Sequence, residues 1–248
     1  MSAGRRMRLW NAVVEQAGGG QVDVVDVCVT AVAAAGVDDA AIVVALPGQR
    51  RETVYISGPP AADTEELMDT VGEGPGVDAL IDGPVLVADL GSPDSLRRWP
   101  VFAPSAAQGG VRAMFGLPLQ VGAVRMGVMD LYRAEPGGLD PDQLADALIL
   151  AETVCTLLLD VTSVGGSAGS SDRWFERTGP HHPEVHQATG MITVQLGVSV
   201  TVALVRLRAH AFAHDRRLRD VAADVVARRL RFQPEPGSKT DLSFDEGD

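Results

Sequence analysis

Residues 185–222 carry three apolar stripes at helical spacing, separated by residues that stop and restart a helix. Val185, Ala188, Ile192 and Leu196 form the first, Ala203, Leu207 and Ala211 the second, and Leu218, Val221, Ala222 and Val225 the third. Gly197 fits the C-cap of the first helix, Ser199 the N-cap of the second, and Asp215 is placed to cap the third. Three short helices with one apolar face each can hide those faces only against one another. The pattern therefore predicts a small all-α three-helix bundle over residues 173–232. Gly190 falls inside the first helix, where it costs about 1 kcal/mol relative to Ala. That cost makes sense where another surface, a partner molecule or a neighbouring helix, must come close to the backbone.

Charge separates this segment from the rest. The whole chain has 248 residues and a net charge of −12. Residues 1–162 hold ten Arg against 22 acids, whereas residues 172–232 hold ten Arg against six and all five histidines. A net +4 module is thus joined to a net −12 one, and the last sixteen residues add one Lys against five acids. Such asymmetry suits a module that meets polyanions, or else a solvated helical face. Its cations are all arginines, which favour bidentate phosphate contacts and stacking on bases.

Upstream, helix-like stretches at 5–17 and 22–35 precede strand-like runs at 40–46, 52–57, 84–88, 111–119 and 126–133. Strands and helices mixed without regular alternation point to an α+β fold with an antiparallel sheet. Asp140 and Pro141 start a helix over 141–160 bearing two apolar lines. Leu144, Leu148, Ala151, Cys155 and Leu158 form one, and Leu150, Val154, Leu157 and Val161 the other. One line can pack on the sheet and the other on a second copy, which predicts a homodimer, with the N-terminal helix joining the bundle; the other reading is a helix buried on both sides in one chain. The Gly/Ser-rich stretch 163–172 reads as a flexible linker and 233–248 as a disordered acidic tail.

Gln187-Ala188-Thr189-Gly190-Met191, Leu207-Arg208-Ala209-His210 and His214-Asp215-Arg216-Arg217-Leu218-Arg219-Asp220-Val221-Ala222 fall in the order and spacing of a known module. The segment 174–232 resembles the ANTAR domain, the RNA-binding output module of transcription antiterminators. It departs from the usual pattern at Thr189, where the family commonly has Lys, and at Asp215, where it commonly has Asn. Residues 20–162 resemble a GAF sensor domain of the actinobacterial kind. Gly72-Glu73-Gly74-Pro75-Gly76, Val87-Ala88-Asp89-Leu90, Arg98-Trp99-Pro100-Val101-Phe102, Gly116-Leu117-Pro118-Leu119 and Gly127-Val128-Met129-Asp130-Leu131-Tyr132 carry that resemblance.

These resemblances imply an N-terminal helix at 1–19, a GAF domain at 20–162 with a six-stranded antiparallel sheet and a ligand cavity, and an ANTAR domain at 173–232. They imply a GAF sensor that controls RNA binding, with stem-loops of nascent messenger RNA as partner and a small-molecule signal. The RNA-contacting residues implied are Ala188, Thr189, Gly190, Arg208, His214, Asp215, Arg216 and Arg217, with the Thr189 hydroxyl facing a phosphate or base edge. Two readings stay open beside this one. The bundle no longer binds RNA and the protein is a ligand-binding or protein-interaction regulator, or the bundle docks on duplex DNA.

No catalytic constellation is legible, so an enzyme is not expected. The glycines at 72, 74 and 76 lead into no Lys-Ser/Thr pair and read as turn punctuation. His181, His182 and His186 lack a carboxylate or thiolate to complete a metal set. The GAF region has no histidine for haem and no lysine of the kind seen in cyclic-nucleotide binders, so no cofactor is assigned. Cys28 and Cys155 sit in apolar contexts and read as buried, reduced thiols. With no signal peptide or membrane-length apolar run in the sequence, a cytoplasmic protein with no membrane contact is expected.

Overall fold

The computed structural model describes residues 3–45, 51–122, 124–163, 183–214 and 216–233. The chain divides into two compact units, Met1–His181 and His182–Asp248. Most of the 163–172 stretch, His181, His182, Asp215 and the tail beyond Gln233 lie outside the described residues.

The first unit is built on a five-stranded antiparallel sheet in the order β2-β1-β5-β4-β3. Its strands are β1 (Asp39–Val44), β2 (Glu52–Ile56), β3 (Val85–Val87), β4 (Ala113–Val121) and β5 (Val124–Arg133). The family resemblance implied six; the described residues form five. Side chains alternate between two cores because successive residues of a strand point to opposite faces. Met129 and Leu131 of β5 enter one core with Phe115, Leu117 and Ile42, while Val128 and Tyr132 enter the other with Met114, Ala41 and Val43. Both faces are therefore covered, the first by α1 (Ala3–Gln16), α2 (Val24–Ala35) and α7 (Pro141–Ser163). On the second face lie α3 (Pro59–Val71), α4 (Pro75–Asp82), α5 (Pro93–Arg98) and α6 (Phe102–Gln108).

The glycine-rich segment 72–76 does more than punctuate a turn. Gly72, at φ 76°, ends α3, and Gly74, at φ 138°, opens α4 with Pro75 in its first turn. Between them Glu73 accepts the backbone N–H groups of Val101 and Phe102, both at 2.8 Å, and so caps α6 from outside. Trp99 donates its indole N–H to Asp78 of α4 at 3.1 Å, which joins the motifs around residues 74 and 99 in space.

Asp140 caps α7 by accepting from Asp142 and Gln143 at 2.8 Å. The two apolar lines of α7 do not divide between the sheet and a second copy. Ala151 and Cys155 from one, and Leu150 and Val154 from the other, are all buried in the same core, with Leu144, Leu148, Leu157 and Leu158 packed against it. Leu9 and Val13 of α1 are buried, whereas Met7, Trp10 and Val14 of α1 and Val25 and Val29 of α2 are among the exposed apolar residues of this unit.

The second unit is a bundle of α8 (Pro183–Leu196), α9 (Val200–Ala213) and α10 (Leu218–Val226). All three anticipated stripes form its core, with Leu196 at the margin. Gly197, at φ 65°, caps α8 and donates to the Thr193 carbonyl at 2.9 Å. Ser199 accepts from Val202 at 3.4 Å as the cap of α9. The cap position of α10 is Arg217, which makes no side-chain cap bond; Asp215, expected to cap this helix, lies outside the described residues. Among the described residues no single helix is long and apolar enough to cross a membrane.

Candidate nucleic-acid interface and buried ionic cluster

The residues expected to touch RNA separate into a buried group and an exposed one. Ala188 and Thr189 lie on the inner face of α8, and Thr189 is only 3% exposed. Its hydroxyl donates to the Val185 carbonyl one turn earlier, at 2.6 Å. This corrects the expectation that Thr189 presents a hydroxyl to a phosphate: a polar residue beside an apolar stripe has been drawn into the core and satisfied within its own helix. Gly190 is exposed, and a Cβ built on it meets nothing within 4 Å. No neighbouring helix of the described chain therefore accounts for this glycine.

His214, Arg216 and Arg217 lie in the turn between α9 and α10 and are exposed. The Arg216 N–H donates back to the Ala211 carbonyl at 2.9 Å, folding the turn against the end of α9. The His214 ring stacks on His210 at 4.0 Å, and His210 meets Phe232 edge-on at 5.3 Å. Burial, His214 and Arg216 together push the His210 pKa down, so its neutral form is favoured. Arg208 is half-buried on α9, and neither it nor Arg217 is without a partner.

Sequence reasoning missed Asp224. It accepts from Arg216 at 2.7 Å and from Arg229 at 2.7 Å. Hydrogen bonds from Arg216 and then Arg229 hold its carboxyl below the usual range. One carboxylate between two guanidiniums leaves a net positive charge on this surface and fixes both arginines in place. The signal was Asp224 lying eight residues beyond Arg216, a separation that no single-helix rule connects.

The first unit contains a second polar centre. Arg51, just before β2, donates to Glu65 of α3 at 2.9 Å and to Asp69 at 3.1 Å, and lies 3.9 Å from Asp130 of β5. Tyr132 donates its hydroxyl to Glu65. Glu65 is 3% exposed and Asp130 fully buried. Asp130 meets no N–H donor among the described residues; its carboxyl hydrogen-bonds that of Glu65 across a shared proton. Burial, opposed by Arg51, raises the pKa of Glu65; burial and the neighbouring Glu65 raise that of Asp130 well above the carboxylate range. Arg51 stays charged because its three acids outweigh the cost of its own burial. Among the described residues no set of three His, Cys, Asp or Glu side chains is arranged to hold a metal. Cys28 and Cys155 are buried and unpaired, and burial pushes both thiols up.

The family model described as GAF domain matches residues 21–158, and the one described as ANTAR domain matches residues 177–226. Among solved structures, the GAF domain of a phosphoenolpyruvate-protein phosphotransferase from Coxiella burnetii is similar at a TM-score of 0.50 and 13% identity, covering 67% of this chain and all of that one. A domain of a putative two-component sensor histidine kinase protein from Sinorhizobium meliloti 1021 gives a TM-score of 0.47 and 17% identity over 56% of this chain and 90% of that one. At these identities the likeness concerns fold alone. No curated protein matches the chain.

Proposed function

The chain belongs to the GAF-domain family and carries an ANTAR domain after it, and from that premise we propose that it is an RNA-binding transcription antitermination regulator whose GAF sensor controls its ANTAR output. It binds paired stem-loops in nascent messenger RNA, stabilises an antiterminator over the competing terminator hairpin, and works in the cytoplasm. Both domains are regulatory, and no catalytic role is assigned.

The observation that carries the RNA reading is the exposed surface of the α9–α10 turn. His214, Arg216 and Arg217 are outward there, and the surface keeps net positive charge even after Asp224 is counted. Guanidiniums held by a shared carboxylate lose less side-chain freedom on meeting a phosphate than free ones. Exposed Gly190 on α8 offers bare backbone to a close partner.

A homodimer presents two such surfaces, so two weak stem-loop contacts gain effective concentration. The face that supports dimerisation is Met7, Trp10 and Val14 of α1 with Val25 and Val29 of α2. Arg6 and Arg8 of α1 are exposed but paired to α7, Arg6 with Glu152 at 2.7 Å and Arg8 with Asp146 at 2.7 Å.

The test is binding of the intact chain to a two-stem-loop RNA at low and near-physiological salt, beside Arg208→Ala/Arg217→Ala. Loop-dependent binding should weaken in the double variant, and its salt slope should flatten by about one unit for each phosphate no longer neutralised. The buried Ala188 and Thr189 favour one second reading, a ligand-binding or protein-interaction regulator whose bundle has left RNA. Absence of binding by the folded protein at both salt concentrations would select it.

A further inference from the structure

We infer that the outer face of α9 is a docking surface for residues 240–246 of this same chain, an acidic segment that carries two apolar side chains. The docking stands apart from the RNA reading, whereas its effect on RNA affinity rests on that reading.

The first observation is an apolar stripe that nothing among the described residues covers. α9 buries Ala203, Leu207 and Ala211. On its opposite side Val202, Val205, Ala209 and Phe212 recur at steps of 3, 4 and 3 residues, and all four are exposed. That is the spacing of a helix seam that receives another apolar segment. Val205 and Phe212 are 57% and 56% exposed, and large apolar side chains aligned in the open mark an interaction face.

Charge then selects the occupant. Arg206 and Arg208 border the stripe on its two sides, and α9 contains no acidic residue. A second α9 laid along the first would set arginine against arginine, so the face favours an acidic segment over a copy of itself. The surrounding bundle adds to this preference, since residues 183–232 hold eight Arg against four acids.

The chain supplies such a segment within reach. Residues 234–248 lie outside the described residues; their sequence holds one Lys against five acids. Pro234 and Pro236 apart, its apolar side chains are Leu242 and Phe244, set between Asp241 on one side and Asp245 and Glu246 on the other. The chain leaves the bundle at α9. The Phe232 N–H donates to the Gln195 side chain of α8 at 2.9 Å, and the Phe232 ring meets His210, one turn past Arg206, edge-on at 5.3 Å. Leu242 follows ten residues after Phe232. Those residues span up to about 33 Å when extended, against about 15 Å of helix between Val202 and Phe212. A tether of this length gives an effective concentration of about millimolar, so a contact too weak to form between separate molecules is populated. Leu242 and Phe244 enter the stripe, and the three carboxylates meet the arginines at its borders. Arg208 is one of the residues assigned to RNA, so the docked segment competes with RNA.

The experiment is methyl NMR of the intact, valine-labelled chain, comparing the wild type with Leu242→Ser/Phe244→Ser. Docking lays the Phe244 ring on the stripe. The Val202 and Val205 methyl signals should therefore move in the variant, while those of Val185, Val221 and Val225 in the bundle core stay in place. Asp241→Asn/Asp245→Asn/Glu246→Gln, or molar salt on the wild type, should move them part of the way in the same direction. Val202 and Val205 signals that do not respond to the loss of Leu242 and Phe244 overturn the docking. Signals that respond to protein concentration also overturn it, because they put a second copy on the stripe. RNA affinity of the Leu242→Ser/Phe244→Ser variant should rise at least about twofold at low salt. If the methyl signals move and RNA affinity does not, the docking stands and the competition falls; if they stay, the docking falls whatever RNA does.

Discussion

Thr189 and Gly190 are neighbours in sequence and opposites in the bundle. Thr189 is in the core with its hydroxyl bonded to Val185, whereas Gly190 faces open space. Thr189→Val should therefore leave RNA binding unchanged and shift stability by less than about 1.5 kcal/mol, since one intrahelical hydroxyl bond is exchanged for a methyl group. Thr189→Lys, the change that would match the commoner family residue, should instead lower the melting temperature, because an ammonium at a 3% exposed position must be desolvated or must push the helix outward. Gly190→Ala should stabilise the bundle by about 1 kcal/mol in denaturant unfolding, since the methyl meets no atom of the chain. The same variant should weaken RNA binding, which separates a contact role from a packing one. A gain in stability with undiminished binding would remove Gly190 from the interface.

At the scale of elements, helices that packed an unmistakable stripe were legible and those that depended on distant partners were not. α8, α9 and α10 show their buried faces in the spacing of Val185, Ala188, Ile192 and their counterparts. α5 and α6 span only six and seven residues, too few for a period to emerge, and the start of α6 is capped by Glu73, about thirty residues away. The apolar lines of α7 were visible, but their partners were not: α1 and α2 supply the cover that a second copy was expected to give. The dimer prediction consequently moves to α1. Trp10→Arg, at a position 45% exposed, should leave the fold intact and convert a dimer to a monomer in sedimentation equilibrium. An unchanged mass would exclude this face from the interface.

For the whole molecule, the charge asymmetry between the two halves was readable from composition, whereas the buried centre of the first unit was not. Arg51, Glu65 and Asp130 are 14 and 65 residues apart along the chain, and no local pattern distinguishes them from surface charges. Their burial has a consequence for pH. Glu65 and Asp130 have raised pKa values in the folded protein, so between the unfolded and folded values the native state binds more protons. Stability therefore declines as pH rises through that window, the reverse of an ordinary salt-bridged acid. Asp130→Asn should flatten the decline, with a melting temperature above that of the wild type at alkaline pH; a parallel pair of profiles would mean that Asp130 does not carry it.

The packing of α1 on the rest of its unit has a further consequence. Two apolar side chains, Leu9 and Val13, and a row of arginines paired to Asp142, Asp146 and Glu152 hold it in place. The exposed pair of Arg6 with Glu152 fades as the Debye length shortens to about 3 Å in molar salt, and the pairs to the buried Asp146 less so, while the sheet and its two cores are insensitive to it. α1 should therefore open separately, at a free energy below that of global unfolding. Concentrated salt should speed amide hydrogen exchange along α1 while exchange in β1, β4 and β5 stays slow, so that ionic strength acts on one helix and not on the fold.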